Sequence, residues 1–238
     1  MFVVVAFLII LIAIAYWLTM VFMLKRSVPM LKAHWEAHNN DAPKENELIY
    51  VVFGDSTAQG VGTKLVHQSY PSIIAEWLEK QTARPTRIIN LSVSGAKVSD
   101  VFQEQLPAMF RLGPPHIVTI AIGANDLDHF VPEEFESTMQ DIVRALPRES
   151  YVATLPTFGG RHKSQDWKAE EASKIIRNAV KGTNHHLVDL YTETSGNKGL
   201  RYHAADLFHP NHKAYKAWAL AFEKVMAERI PQLLILKK

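Results

Sequence analysis

The chain contains no cysteine. That absence excludes disulfides, thiolate metal sites and a cysteine nucleophile. It leaves the redox compartment open, because a cysteine-free chain tolerates either state. Neither sign of charge dominates: 26 Lys and Arg face 24 Asp and Glu, so nothing points to nucleic acid as a partner. Low-complexity runs and internal repeats are also lacking, which argues against a disordered or solenoid architecture. The length of 238 residues suits one globular domain with an additional segment.

What is present begins with a long apolar run. Phe2 to Leu24 carries no charge, and Thr19 is its one clearly polar residue. At about 1.5 Å per helical residue such a run crosses a hydrocarbon layer of about 30 Å. Residues 1–24 therefore read as a transmembrane anchor. A cleaved signal peptide is the rival reading. Against it, the run is too long, no basic segment precedes it and no small-x-small cleavage site follows. The expectation is an uncleaved, single-pass N-terminal anchor. Lys25, Arg26 and Lys32 flank its carboxyl end, and the positive-inside rule then places the following domain in the cytoplasm. Glu36 and Asp41 lie nearby, so the extracytoplasmic side stays open as the alternative.

Residues 25–46 read as a linker of mixed charge containing Asn39-Asn40-Asp41 and Pro43. Within it, Val28 to His38 has Met30, Leu31 and Trp35 on one side. That suits a short amphipathic helix at a membrane surface or a solvated linker helix.

From Leu48 the pattern changes to alternating strands and helices. Short apolar runs predict strands at Leu48–Phe53, Thr86–Leu91, His116–Ile122, Tyr151–Leu155 and Leu187–Leu190. Helical spacing predicts helices over Tyr70–Gln81, Val98–Phe110, Glu133–Leu146, Trp167–Lys181 and Asn211–Arg229, with Pro107 bending or ending the second. This alternation indicates an α/β fold, a mostly parallel five-stranded sheet with helices on both faces. The domain is expected over residues 47–230, with a tail at 231–238.

Four motifs fall at one edge of that sheet: Gly54-Asp55-Ser56, Asn90-Leu-Ser-Val-Ser-Gly95, Gly123-Ala-Asn125-Asp126 and Asp206-Leu-Phe-His209. Ligands of parallel sheets bind outside the carboxyl ends of the strands, where these motifs sit. Ser56 supplies a hydroxyl nucleophile, which needs a base to take its proton. His209 is the candidate base. Asp206 stands three residues earlier, where a carboxylate can accept from Nδ1–H and leave Nε2 free for the serine. The backbone N–H groups of Ser56 and Gly95 and the side-chain amide of Asn125 are candidate oxyanion donors. Asp55 and Asp126 read as structural, accepting from loop N–H groups. His185, His186, His203 and His212 read as exposed or structural, and their spacing lacks a metal-binding pattern.

These motifs resemble the four blocks of the SGNH/GDSL hydrolase family. Gly54-Asp-Ser-Thr-Ala-Gln-Gly-Val-Gly62 is similar to the first block and His209-Pro-Asn to the last. The resemblance covers residues 48–229. It implies a flavodoxin-like three-layer α/β/α sandwich. It implies Ser56 as nucleophile, Gly95 and Asn125 as further oxyanion donors, His209 as base, Asp206 as its partner, and no cofactor or metal.

The combined reading is a membrane-anchored serine esterase acting through an acyl-Ser56 intermediate. Its ester substrate would be an acyl lipid, a lysophospholipid or an acetylated glycan. Alternatives are an acyltransferase using the same intermediate, and a silent anchored binding module. The glycine-hinged segment Thr157-Phe-Gly-Gly-Arg-His-Lys-Ser164 is expected to flank the pocket. Phe130, Phe158 and Leu207 are candidates for an acyl site, and Arg161 for contact with a charged head group.

Overall fold

The computed structural model describes residues 2–196 and 199–231, without the side chains of residues 2, 3, 160 and 161. The expected tail beyond residue 231 and the side chain of Arg161 lie outside the described residues.

The chain opens with helix α1 (Phe2–His38). It continues through β1 (Leu48–Gly54), α2 (Ser56–Gln59), α3 (Tyr70–Thr82) and β2 (Thr86–Asn90). Then come α4 (Val98–Asp100), α5 (Leu106–Phe110), β3 (Ile117–Ala121), α6 (Pro132–Ala145) and β4 (Tyr151–Ala153). The remainder is α7 (Asp166–Val180), β5 (His186–Val188), α8 (Leu190–Glu193) and α9 (His212–Ala227). The sheet has the order β2-β1-β3-β4-β5, and every pairing is parallel. All five predicted strands are present, mostly shortened by a residue or two at their ends.

Period-two alternation along the strands divides the core in two. Val51, Phe53, Ile89, Val118, Ile120 and Val152 pack against α5, α6 and α7. Tyr50, Val52, Ile88, Ile117, Ala153 and Val188 pack against α3 and α9. The result is a three-layer sandwich, with the strands' carboxyl ends left open to loops.

Two elements differ from expectation. The predicted helix Val98–Phe110 does not end at Pro107. One wide turn of π type, Val101–Gln105, precedes the proline, which has no N–H to donate to the turn before it. Within that turn Gln105 is buried, and its side chain accepts from the Gly54 N–H and donates to the Gly54 carbonyl.

The second difference is the linker expected over residues 25–46. It is helix as far as His38, continuous with the apolar run and including Pro29. The reason is burial. Leu31 and Trp35 are buried, and the Trp35 indole N–H donates to the Gln59 carbonyl at 3.0 Å. Asn39 then exchanges two hydrogen bonds with the Asn90 backbone. Towards its N-terminus α1 carries an 18-residue stretch of mean hydropathy 2.7, none of it buried. By length and composition α1 is able to cross a membrane.

Trp35 is 2% exposed and Trp167 is 64% exposed. Trp35→Ala is therefore expected to destabilise the detergent-solubilised chain by about 3–5 kcal/mol, and Trp167→Ala by under about 0.5 kcal/mol. Denaturant unfolding followed by near-ultraviolet circular dichroism measures both.

Candidate active site

β1 runs straight into the first motif. Gly54 holds φ at 151°, and a Cβ there would come within 2.5 Å of the Ala121 carbonyl oxygen. Only glycine lets β1 turn this close to β3. Asp55 then caps α2, its carboxylate accepting from the Thr57 N–H at 2.9 Å and the Thr57 hydroxyl at 2.8 Å. Ser56 is the first residue of α2 and is buried. A first-turn N–H has no intrahelical acceptor, and the Ser56 N–H has no acceptor among the described residues.

The last motif arrives from the other end of the chain. Ser56 Oγ lies 3.0 Å from His209 Nε2, and His209 Nδ1 lies 2.6 Å from Asp206 Oδ2. The Asp206 carboxylate accepts from Nδ1–H, so Nε2 is left bare and accepts a hydrogen bond from the Ser56 hydroxyl. The other Asp206 oxygen accepts the N–H groups of Phe208 and His209, each at 3.1 Å.

The loop itself is tied down. Ala204 donates to the His209 carbonyl, Leu207 (φ 58°) donates to Ala204, and His203 bridges to Pro210. Asn211 caps α9 through its side-chain oxygen, while its amide donates to the Arg201 and His203 carbonyls. The two loops also touch directly. A Cβ on Gly62 would meet the Pro210 carbonyl oxygen at 2.2 Å, and the Tyr215 hydroxyl donates to Val61 at 2.7 Å.

Gly95 and Asn125 come from the two neighbouring loops. Gly95 has φ 86°, and its N–H has no acceptor among the described residues. Asn125 Nδ2 donates to the Ala96 carbonyl at 2.9 Å and makes a longer contact of 3.4 Å with Asp55. The second amide hydrogen is thus only loosely held, beside the Ser56 turn. All five residues singled out in the sequence, Ser56, Gly95, Asn125, Asp206 and His209, lie at this one sheet edge.

Three further side chains hold the loops together and are not apparent from the motifs. Gln59 donates to the Ser92 carbonyl and accepts from the Ser94 hydroxyl. Asn90 donates to the Ala58 carbonyl and accepts from Ser92. Gln105 grips Gly54 from the wide turn. Each is a buried amide. Of the three, Asn90 alone carries a signal in the sequence, a polar residue within the predicted strand Thr86–Leu91.

A cavity opens beside His209, lined by Leu155, Phe158, Leu190, Phe208 and Trp218. Of the residues expected there, Phe158 is present. Phe208 stands where Leu207 was expected, stacked on Phe158 at 6.3 Å and edge-on to His209 at 4.9 Å. Leu207 does not line it. Neither does Phe130, which packs on Phe135. His185 and His186 lie elsewhere, against Val143 and Tyr151.

The carboxylates of the site are held at different set points. Burial raises the Asp206 carboxyl. The hydrogen bond from His209, its charge and the N–H groups of Phe208 and His209 together outweigh burial and hold it down to about 2. Asp55 is raised by burial, partly offset by its bonds from Thr57. Burial pushes Asp126 up to about 6, helped by the charges of Asp55 and Asp100 and opposed by the Val98 N–H and Lys97.

Two pH dependences follow, of opposite sign. Asp206 is depressed from 3.8 to about 2, so its contribution is present above pH 4 and disappears as pH falls towards 2. The stability gap between the wild type and Asp206→Asn should narrow by roughly 2 kcal/mol over that window, measured by urea unfolding at each pH. Asp126 is raised from 3.8 to about 6, so stability is full below pH 4 and is lost as pH rises through 6. Asp126→Asn should flatten that decline, recovering about 1–3 kcal/mol at neutral pH in the same unfolding series.

The GDSL-like Lipase/Acylhydrolase family matches residues 52–217. The chain is 38% identical over 78 residues to the GDSL-like esterase Rv1075c of Mycobacterium tuberculosis (strain ATCC 25618 / H37Rv). That match spans 32% of this chain and only 24% of the relative. The fold is similar to Axe2, an acetylxylan esterase from Geobacillus stearothermophilus, with TM-score 0.58 and 18% identity over 75% of this chain and 94% of that one. It is also similar to a Clostridium thermocellum family 3 carbohydrate esterase, with TM-score 0.62 and 15% identity over 79% of this chain and 99% of that one. At such identities the likeness to solved structures is one of fold. The family match takes in more than half of the chain and all four motifs, from Ser56 to His209: the chain belongs to the GDSL-like lipase/acylhydrolase family.

Proposed function

We propose that the chain hydrolyses carboxylic esters through an acyl-Ser56 intermediate, in a domain tethered to a membrane by α1. The observation that carries this reading is the unbroken hydrogen-bond chain from Ser56 through His209 to Asp206. Intact bonding of this kind favours an active enzyme over a silent module. The named esterases among its relatives support the same reading.

In the proposed reaction Ser56 Oγ attacks the ester carbonyl carbon while His209 Nε2 takes the hydroxyl proton. Asp206 steadies the resulting imidazolium and keeps the ring oriented. The carbonyl oxygen becomes an oxyanion, held by the Ser56 and Gly95 N–H groups and the Asn125 amide. One such donor contributes about 3–4 kcal/mol to transition-state stabilisation. His209 then protonates the departing alcohol. Water attacks the acyl-serine with His209 again as base, and the carboxylic acid leaves. Within the chain, residues 1–24 form the anchor and 47–230 the catalytic domain, with the helical extension of α1 joining them. Lys25, Arg26 and Lys32 favour a cytoplasmic domain.

The test is hydrolysis of 4-nitrophenyl acetate by the detergent-solubilised chain. Ser56→Ala is expected to abolish turnover, and Asn125→Ala to lower kcat by about 100- to 1,000-fold. Equal rates for wild type and Ser56→Ala would refute the proposal.

A further inference from the structure

α1 does not leave the domain where its apolar run ends. Met20, Val21, Leu24, Ser27, Val28, Leu31 and Trp35 are buried or half-buried at three- and four-residue spacing, a single stripe lying on the domain. Beyond the stripe, the exposed Trp17 donates its indole N–H to the Ala205 carbonyl at 2.8 Å. Ala205 is the residue before Asp206. The membrane-competent helix therefore rests on the loop that carries the imidazole and its carboxylate.

The depth of that contact matters. From Trp17 to Lys25 is eight residues, about 12 Å of helix. The headgroup zone beyond the hydrocarbon is about 5–8 Å thick on each side. With the apolar run in a bilayer and Lys25 at its surface, the Asp206–His209 loop lies about 4–7 Å to the acyl-chain side of the boundary between headgroups and acyl chains. Trp17 then lies just inside that boundary, close to the interfacial position this side chain favours.

The rest of the edge is built to match. Leu65, Val93, Val131, Trp167 and Leu200 are exposed large apolar residues. Each lies on the connection that leaves a different strand, in order β1 to β5, at the carboxyl edge where Ser56 sits. Lys64 and Arg201, both exposed, stand next to Leu65 and Leu200. Apolar side chains interleaved with cations suit a headgroup interface.

We propose that the carboxyl edge of the sheet seats on the membrane that α1 enters, and that the site draws acyl lipids from that bilayer. The ester group of such a lipid lies at the polar–apolar boundary, level with Ser56, and its alcohol or acyl product returns to the same leaflet. This inference rests on the esterase reading above, but its physical test does not.

The absence of cysteine allows single-site labelling. Leu65→Cys, Leu200→Cys and Leu112→Cys, the last on the segment entering β3 at the opposite edge, each receive an environment-sensitive fluorophore. The full chain is reconstituted into phosphatidylcholine–phosphatidylglycerol vesicles containing spin-labelled lipid. Blue-shifted, quenched emission at positions 65 and 200, with position 112 remaining aqueous, is the expected result. In parallel, Leu65→Ser/Leu200→Ser should lower hydrolysis of a vesicle-resident long-chain acyl ester about tenfold and leave 4-nitrophenyl acetate turnover unchanged. Aqueous emission at positions 65 and 200, with both esters still hydrolysed, overturns the seat and leaves the esterase reading standing. Loss of 4-nitrophenyl acetate turnover in the wild type removes the esterase reading instead, while the fluorophores still report the seat. A blue shift in detergent that grows with protein concentration identifies a second copy on this edge and also overturns the proposal.

Discussion

The hydrogen bond between Ser56 and His209 joins residues 153 positions apart, and the layout of the domain serves that meeting. A hydroxyl and an imidazole approach to 3.0 Å only if β1 and the start of α9 end at the same edge of the sheet. Parallel order supplies this, because every strand delivers its loop to the same side. The final distance is set locally. Gly54 turns against Ala121 with no room for a Cβ, and Gly62 closes on Pro210 in the same way. Glycine here is a condition of contact between the two loops.

Polar groups under these loops do the remaining positioning. Gln59, Asn90 and Gln105 are buried, and an amide buried without partners costs about 1–3 kcal/mol. Each bonds at least one backbone group of another segment, so movement of one strands groups on the other. Through Asn39 and Trp35 the same network reaches α1. The helix is thus packed on the loops that support the site, and its Trp17 bonds the loop beside Asp206. Attachment of the helix and geometry of the site are parts of one structure.

Much of this was legible from residue order. Short apolar runs closing in Gly54 or leading to Gly123 marked strands, because a strand buried on both faces admits few polar residues. Ser56, Gly95 and Asn125 stood out through their place after those strands, and Asp206 and His209 through their spacing in the loop before the last helix. What stayed hidden depended on partners remote in sequence. Gln105 points inward only because a wide turn forms before Pro107, and nothing in the residues marks that turn. The extension of α1 through Pro29 was obscured by charged neighbours. It follows from burial of Leu31 and Trp35 on a surface that local pattern cannot reveal. Leu207 was expected to face the cavity, but its left-handed φ of 58° accompanies a turn that presents Phe208 instead.

The central claim is that Ser56 is a nucleophile because His209 takes its proton. Its most direct measurement is covalent capture with a fluorophosphonate, followed by peptide mapping of the adduct by mass spectrometry. The account predicts one adduct, on Ser56, formed rapidly by the folded full chain and slowed by several orders of magnitude in His209→Ala. No adduct on Ser56, or equal labelling rates with and without His209, would contradict it.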